Sequence, residues 1–209
     1  MSKPITNTRE KIRDKALEMF NERGIEYVGL REIAGVLDMR VSNITYYFPT
    51  KDDLVYELSM ELSRANAAIV VATEDISMRG FLDLLHGVFR NHLQYRCLLL
   101  SFVHVMLQNK RVAAAYKKTQ SQRSTALARN IEALQASGYL RLEDEITKEF
   151  LVSTLALINR FWISEAAISF RQVNDKVQMK HYLELITKLL LPYATAKGKK
   201  EIGAFVGSL

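Results

Sequence analysis

Arg40, Val41, Ser42, Asn43, Thr45, Tyr46, Tyr47 and Lys51 fall in one short stretch of the chain, and they are residue types that read a DNA duplex. An Asn amide pairs bidentately with adenine, an Arg fork pairs with guanine or a phosphate, and a Thr methyl or a Val meets the thymine methyl. A Tyr hydroxyl bonds phosphate oxygens, and Lys51 stands where a helix N-terminus would welcome a phosphate. No rival catalytic set is visible. The sequence has no Gly-rich phosphate loop and no nucleophile elbow, and its one cysteine, Cys97, precedes Leu98, Leu99 and Leu100 without an evident base. The four histidines, at 86, 92, 104 and 181, lack the paired i, i+4 spacing of metal ligands. The expected chemistry is recognition rather than catalysis, with no metal and no cofactor.

Such side chains work only if two short helices hold them at a fixed angle. Leu30, Ile33, Ala34 and Leu37 follow the i, i+3, i+4, i+7 rule and predict a first short helix with one apolar stripe. Asp38 sits where the chain must turn, and Asp tolerates left-handed backbone angles better than most residues. Met39 would drop into the angle between the helices. From Ser42 to Phe48 the pattern predicts a second short helix with Val41, Ile44 and Tyr47 or Phe48 inward. Ser42, Asn43, Thr45 and Tyr46 are then left outward. Thr50 with Asp53 three residues on reads as a capping box that starts the next helix. Together these features predict a helix-turn-helix whose second helix enters the major groove.

The segment from about Asn7 to Leu54 resembles the DNA-binding domain of the tetracycline-repressor (TetR) family of bacterial transcription regulators. The resemblance rests on a first helix, Arg9 to Gly24, then Ile33-Ala34, the aromatic pair Tyr47-Phe48, and Lys51-Asp52-Asp53-Leu54, in register without a gap. It implies DNA-contacting roles for Asn43, Tyr46, Tyr47 and Lys51. This chain departs from the family pattern at four places. Asp38-Met39-Arg40 replaces Gly-Val-Ser at the turn, Ser42 replaces a Gly, Gly29 a capping Thr, and Thr45 the first aromatic. Gly is an acceptable N-cap, so folding is expected to survive.

At 209 residues and 48% hydrophobic content the chain is longer than a small DNA-binding domain requires and can bury a sizeable core. Three Pro, nine Gly and no period-two alternation predict an all-α fold. The expected division is a helix-turn-helix domain over 1–50 and a larger helical ligand-binding and dimerisation domain over 51–209. The predicted helices run from about Asn7 to Gly24 and from Lys51 to about Thr73. Others follow over Ser77 to Leu93, Arg96 to Leu107, Lys110 to Ser137, Asp144 to Phe170 and Asp175 to Ala196. The formal charge is +6 and the pI about 9.4, yet the first fifty residues hold eight Lys or Arg against seven Asp or Glu. The basic excess lies instead at Lys110, Arg111, Lys117, Lys118, Arg123 and Arg129 and in the tail, where it reads as solvated helix surface. The N-terminus lacks the apolar run of a signal peptide, and Asn159, Arg160 and Glu165 interrupt the most apolar stretch. A cytoplasmic protein with no membrane span and a buried structural thiol is expected.

The helix from Phe150 to Phe170 is apolar nearly all round, so it should be buried on more than one face. Its second face, with Tyr182, Leu185, Ile186, Leu189 and Leu190, suits a partner subunit. The resemblance implies that the last two long helices form a four-helix homodimer interface, which demands a palindromic operator in double-stranded DNA. It also implies a small-molecule effector of unknown identity in the second domain. Phe89, Phe102, His104, Met106, Phe161 and Trp162 are the expected ligand-binding residues, with Tyr116, Asn159 and Arg160 near them as an apolar wall with polar handles. The reading is a ligand-responsive regulator, a homodimeric repressor. The alternative is a helical interaction protein on the same scaffold that has lost DNA reading.

Overall fold

The computed structural model describes residues 8–69, 76–172 and 174–209. The expected Asn7 cap, and the expected extension of helix four to Thr73, lie outside these. Among the described residues there are eleven α-helices and no strand, with one antiparallel bridge between Leu140 and Ala194. The chain divides into two compact units, residues 1–64 with 95–115 and residues 65–94 with 116–209. This division by contact differs from the expected 1–50 and 51–209.

In the first unit, α1 (Thr8–Arg23) buries Ile12, Ala16, Met19 and Phe20. It ends at Gly24, whose φ of +92° is a left-handed conformation that only Gly adopts without strain. α2 (Leu30–Val36) and α3 (Val41–Tyr47) follow, and α4 (Lys51–Ile69) begins in this unit and buries Leu54, Val55 and Leu58. α6 (Arg96–Leu100) and α7 (Phe102–Gln108) dock on the same unit. The Asn21 side-chain oxygen accepts from the Cys97 backbone N–H at 2.9 Å, and Asn109 Nδ2 donates to the Asp52 carbonyl at 2.8 Å. One helix was expected over Arg96 to Leu107, but the chain breaks at Ser101. There Ser101 ends α6 and its hydroxyl donates to Glu26 Oε2 at 3.1 Å.

Cys97 is buried, and burial pushes its thiol up to about 12. Since only the thiolate is nucleophilic, iodoacetamide at pH 8 is expected to leave Cys97 unlabelled in native protein and to label it fully in denaturant. Equal labelling rates in the two states would contradict this.

In the second unit, α5 (Met78–Gln94) packs against α9 (Glu145–Ser169), α10 (Asp175–Leu190) and α11 (Ala196–Val206). α8 (Lys110–Ala136) starts in the first unit and runs into the second. Asp144 and Asn174 cap α9 and α10 through their side-chain oxygens. Gly138, at φ +72°, terminates α8 as the sequence expects. The last expected helix, Asp175 to Ala196, stops instead at Leu190. Pro192 has no N–H and its ring opposes a preceding carbonyl, so the chain turns through a short 3-10 segment, Leu191–Tyr193. Thr195 then caps α11, which sequence reading had not foreseen. Its Gly198 is forced, because a Cβ there would lie 2.3 Å from the Tyr139 carbonyl oxygen. Ile202 and Phe205 are buried in this unit, and Glu201 Oε2 accepts from the Arg79 N–H at 2.8 Å.

Candidate nucleic-acid interface

α2 and α3 are seven residues each, too short to persist alone, so burial has to fix them. Ile33 and Ala34 of α2, and Ile44 and Phe48 at α3, are buried. Gly29 opens α2 in an extended conformation without a side-chain cap. Asp38 joins the two helices at φ +53°, the only non-Gly residue with positive φ among those described. The Met39 N–H donates to the Ala34 carbonyl at 2.9 Å, closing the turn. A side chain branched at Cβ is strained in this conformation. Asp38→Val is therefore expected to lower the unfolding free energy by about 1–2 kcal/mol, while Asp38→Gly holds or raises it. Urea denaturation of both variants checks this, and equal midpoints would show that the turn carries no strain.

With Ile44 and Phe48 inward, α3 turns Arg40, Val41, Ser42, Asn43 and Tyr46 to solvent, and Tyr46 is 81% exposed. Val41 thus stands on the outer face, where a thymine methyl could meet it, and not in the core. Thr45 is half-buried and its hydroxyl turns back to the Ser42 carbonyl at 3.4 Å. Tyr46 and Tyr47 meet edge to face, ring centres 5.0 Å apart, which limits where the Tyr46 hydroxyl can swing. Lys51 Nζ donates to the Ile25 carbonyl at 2.9 Å and stands 3.4 Å from that of Glu26. Lys51 therefore ties the loop after α1 to the start of α4, a role the sequence did not announce, with one ammonium N–H left over from these two carbonyls.

The capping box forms as expected. The Thr50 N–H and hydroxyl donate to Asp53 Oδ2 at 3.1 and 2.7 Å, and the Asp53 N–H donates to Thr50 Oγ1 at 3.2 Å. Arg111, from the start of α8, also bonds Asp53. The Thr50 hydroxyl, joined by the Thr50 N–H and Arg111, holds the Asp53 carboxyl below its ordinary value.

The six expected ligand-binding residues do not form one wall within either unit. Phe102, His104 and Met106 belong to the first unit with α2 and α3, because the Ser101 and Asn21 bonds dock their segment there. His104 is exposed. Phe89, Phe161 and Trp162 belong to the second. There Phe89 and Trp162 stack with ring centres 4.6 Å apart and planes 7° from parallel. Trp162 Nε1–H donates to His92 Nδ1 at 3.1 Å. Tyr182 closes the other side at 5.7 Å, so Trp162 is packed core. His92 is buried, and burial pulls its pKa down to about 4, which keeps the ring neutral and Nδ1 free to accept.

The outer side of α9 carries Ile146, Phe150, Leu157 and Ile168, of which Ile146 is 77% and Ile168 86% exposed. Val177 and Leu185 of α10 are also exposed, whereas Tyr182, Ile186 and Leu190, expected at a partner surface, are buried within the protomer. α9 is long and apolar enough to cross a membrane by length and composition, but its Leu151, Leu155, Trp162, Ile163 and Ala166 are buried in this unit.

The geometry agrees with comparisons to known proteins. Residues 12–58 match the family of bacterial regulatory proteins of the tetR type, and residues 62–202 match a bacterial transcriptional repressor family, TetR. Over 91 residues the chain is 30% identical to the "Probable HTH-type transcriptional regulator YttP" of Bacillus subtilis (strain 168), covering 43% of this chain and 44% of that protein. Thus the match spans less than half the length of that relative. A TetR-family transcriptional regulator from Marinobacter aquaeolei VT8 superposes with a TM-score of 0.88 at 20% identity, over 97% of this chain and 98% of the other. A gamma-butyrolactone receptor (ArpA like protein) shares the fold at a TM-score of 0.67 and 14% identity, over 97% and 98%. With one family description spanning residues 62–202 and another covering the helix-turn-helix, this chain belongs to the TetR family of bacterial transcription regulators.

Proposed function

We propose that the chain is a homodimeric repressor that binds a palindromic operator and releases it when a small-molecule effector binds the second unit. The observation that carries this reading is the solvent-facing row Arg40, Ser42, Asn43 and Tyr46 on a short helix anchored by Ile44 and Phe48. Those side chains have the donors and acceptors that base edges and phosphates require, and they take no part in the core. Homodimerisation is supported by the exposed apolar stripe of α9 with Val177 and Leu185, since patches of that kind on a helix surface mark interaction sites. Two copies related by a two-fold axis present two reading helices, which matches a palindrome. A regulator of this design performs no catalysis and works in the cytoplasm with the DNA it reads.

An effector shifts the equilibrium only if it binds the DNA-incompetent arrangement more tightly. The solved gamma-butyrolactone receptor is a fold relative whose name declares a small ligand. α4 runs from the capping box at Thr50 and Asp53 into the second unit, so it is the covalent route by which a change there reaches the reading helices. Fluorescence anisotropy with labelled DNA from beside the chain's own gene tests the reading. Tight binding relative to random duplex, with affinity falling steeply as salt rises, is the expected result. A flat salt response, with a protein partner recovered in its place, would favour the alternative that the departures at Gly29, Ser42 and Thr45 have removed DNA reading from an interaction scaffold.

A further inference from the structure

Tyr116 of α8 has a guanidinium from each of two directions. Arg123 Cζ lies 4.5 Å from the centre of its ring and Arg160 Cζ, from α9, 5.8 Å. Both arginines lie in the second unit. Two like charges gathered on one ring repel, and the ring quadrupole only partly offsets that. A carboxylate between them would be the ordinary remedy, as with Glu132 and Glu145 at Lys148. Among the described residues neither Arg123 nor Arg160 has one. Arg123 donates instead to neutral acceptors, the Tyr116 carbonyl at 3.3 Å and the Thr119 hydroxyl.

Arg160 itself and its neighbour Asn159 carry polar atoms with no hydrogen-bond partner among the described residues. Arg160 Nε and Asn159 Oδ1 are buried without a hydrogen-bond partner. All the buried unpartnered side-chain polar atoms among the described residues belong to the second unit, the others being on Asn130, Gln178 and Tyr182. Such atoms are costly unless something absent from the bare chain satisfies them. Burial and the charge of Arg160 hold the Arg123 guanidinium below its ordinary value. Arg123 is exposed, so water screens part of that repulsion; an Arg keeps its proton at neutral pH, and a bound anion would relieve the rest.

We propose that Arg123 and Arg160, gathered on Tyr116, bind the carboxylate of a small organic acid, and that this acid is the effector. The assignment rests on the regulator reading for its consequence at DNA, but not for binding itself. A planar carboxylate accepts two parallel N–H bonds from a guanidinium edge, while the guanidinium faces stay on aromatic rings. Arg160 Cζ also stands 5.8 Å from the Phe161 ring, so flat apolar surface lies beside the anionic end. An organic acid with an aromatic or aliphatic body fits that combination, with the solvent-exposed Arg123 and the half-buried Arg160, a polar handle in the sequence reading, at its anionic end.

The test uses the full chain with benzoate as probe, benzamide as its uncharged match and inorganic phosphate as a second anion, ionic strength held constant with chloride. Thermal unfolding and fluorescence of Trp162, the only tryptophan, are the readouts. Benzoate at a hundredfold excess over its Kd is expected to raise the Tm by about 5–10 °C and to change Trp162 emission, with benzamide inert. Arg123→Gln and Arg160→Gln should each melt at or above the wild-type temperature without ligand, because repulsion is relieved, and lose the benzoate response. Arg160→Lys should keep part of it.

Equal responses to benzoate and benzamide, no response to either, or a benzoate response that survives in both Gln variants would overturn the proposal. Stronger stabilisation by phosphate than by benzoate would overturn the carboxylate assignment. If the Gln variants lose a dimer that wild type forms in size-exclusion chromatography, while benzoate leaves wild type unchanged, the arginines serve a second copy and the proposal fails. Benzoate binding that leaves DNA affinity untouched would instead sink the effector role and leave the anion site standing.

Discussion

Asn43→Ala is expected to weaken operator binding by about 1–3 kcal/mol at each half-site, between about thirtyfold and twenty-thousandfold for a two-fold site, without changing thermal stability. Asn43 is exposed on α3 and its side-chain amide makes no hydrogen bond among the described residues, so its removal leaves no cavity and no orphaned partner there. The loss should be specific, with the variant binding random duplex as wild type does. Lys51→Ala should behave otherwise. Its ammonium holds the Ile25 carbonyl at 2.9 Å, so all DNA sequences should be bound more weakly and the melting temperature should fall as well. Anisotropy titrations across a salt series separate the two behaviours. An Asn43→Ala protein with wild-type affinity for the natural operator would remove α3 from base reading.

Trp162→Ala is expected to destabilise the protein by about 3–5 kcal/mol, the range for truncating a large buried aromatic. The indole is 1% exposed, stacks on Phe89 and donates to His92, so the variant also leaves His92 Nδ1 buried without a donor. The sequence reading placed Trp162 among the expected ligand-binding residues, whereas its burial makes it a core residue first. His92 adds a pH dependence whose sign is fixed. Its folded pKa, about 4, lies below the ordinary 6.5, so between those values the unfolded chain binds the proton and the folded one does not. Its contribution is fully present above about pH 6.5 and is lost as pH falls toward 4. Denaturant unfolding at pH 7.5, 5.5 and 4.5 measures it, and His92→Gln should flatten that part of the profile. A Trp162→Ala chain as stable as wild type would mean that the core around α5, α9 and α10 is looser than its contacts indicate.

The reading element was legible because its signals are local. The stripe Leu30, Ile33, Ala34 and Leu37, of which Ile33 and Ala34 are buried and the ends half-buried, the left-handed Asp38 and the Thr50 to Asp53 box each depend on neighbours within a few residues. What the sequence hid depends on distant partners. Whether Phe102 and His104 join the head or the second unit is decided by Asn21 and Glu26, some 75 residues away, and no periodicity encodes that. Phe89 and Trp162 looked alike as pocket wall or packed core, since both demand large apolar groups at helical spacing. α11 was lost among the basic residues Lys197, Lys199 and Lys200, although Pro192 and Thr195 offered a stop and a cap. Arg123 and Arg160 read as a solvated charge and a polar handle, because only the fold gathers them on one ring.

Because α6 and α7 belong to the same unit as the helix-turn-helix, the DNA-binding head is assembled from two stretches of chain separated by thirty residues of the other unit. During synthesis, a nascent chain that has emerged only as far as Arg64 still lacks the segment that meets Asn21, Glu26, Asp52 and Asp53. DNA competence is therefore expected only after residues 95–115 have also left the ribosome. Residues 1–64 expressed alone should yield a head that opens easily and is cut readily by protease, even though every side chain expected to contact DNA is present in it.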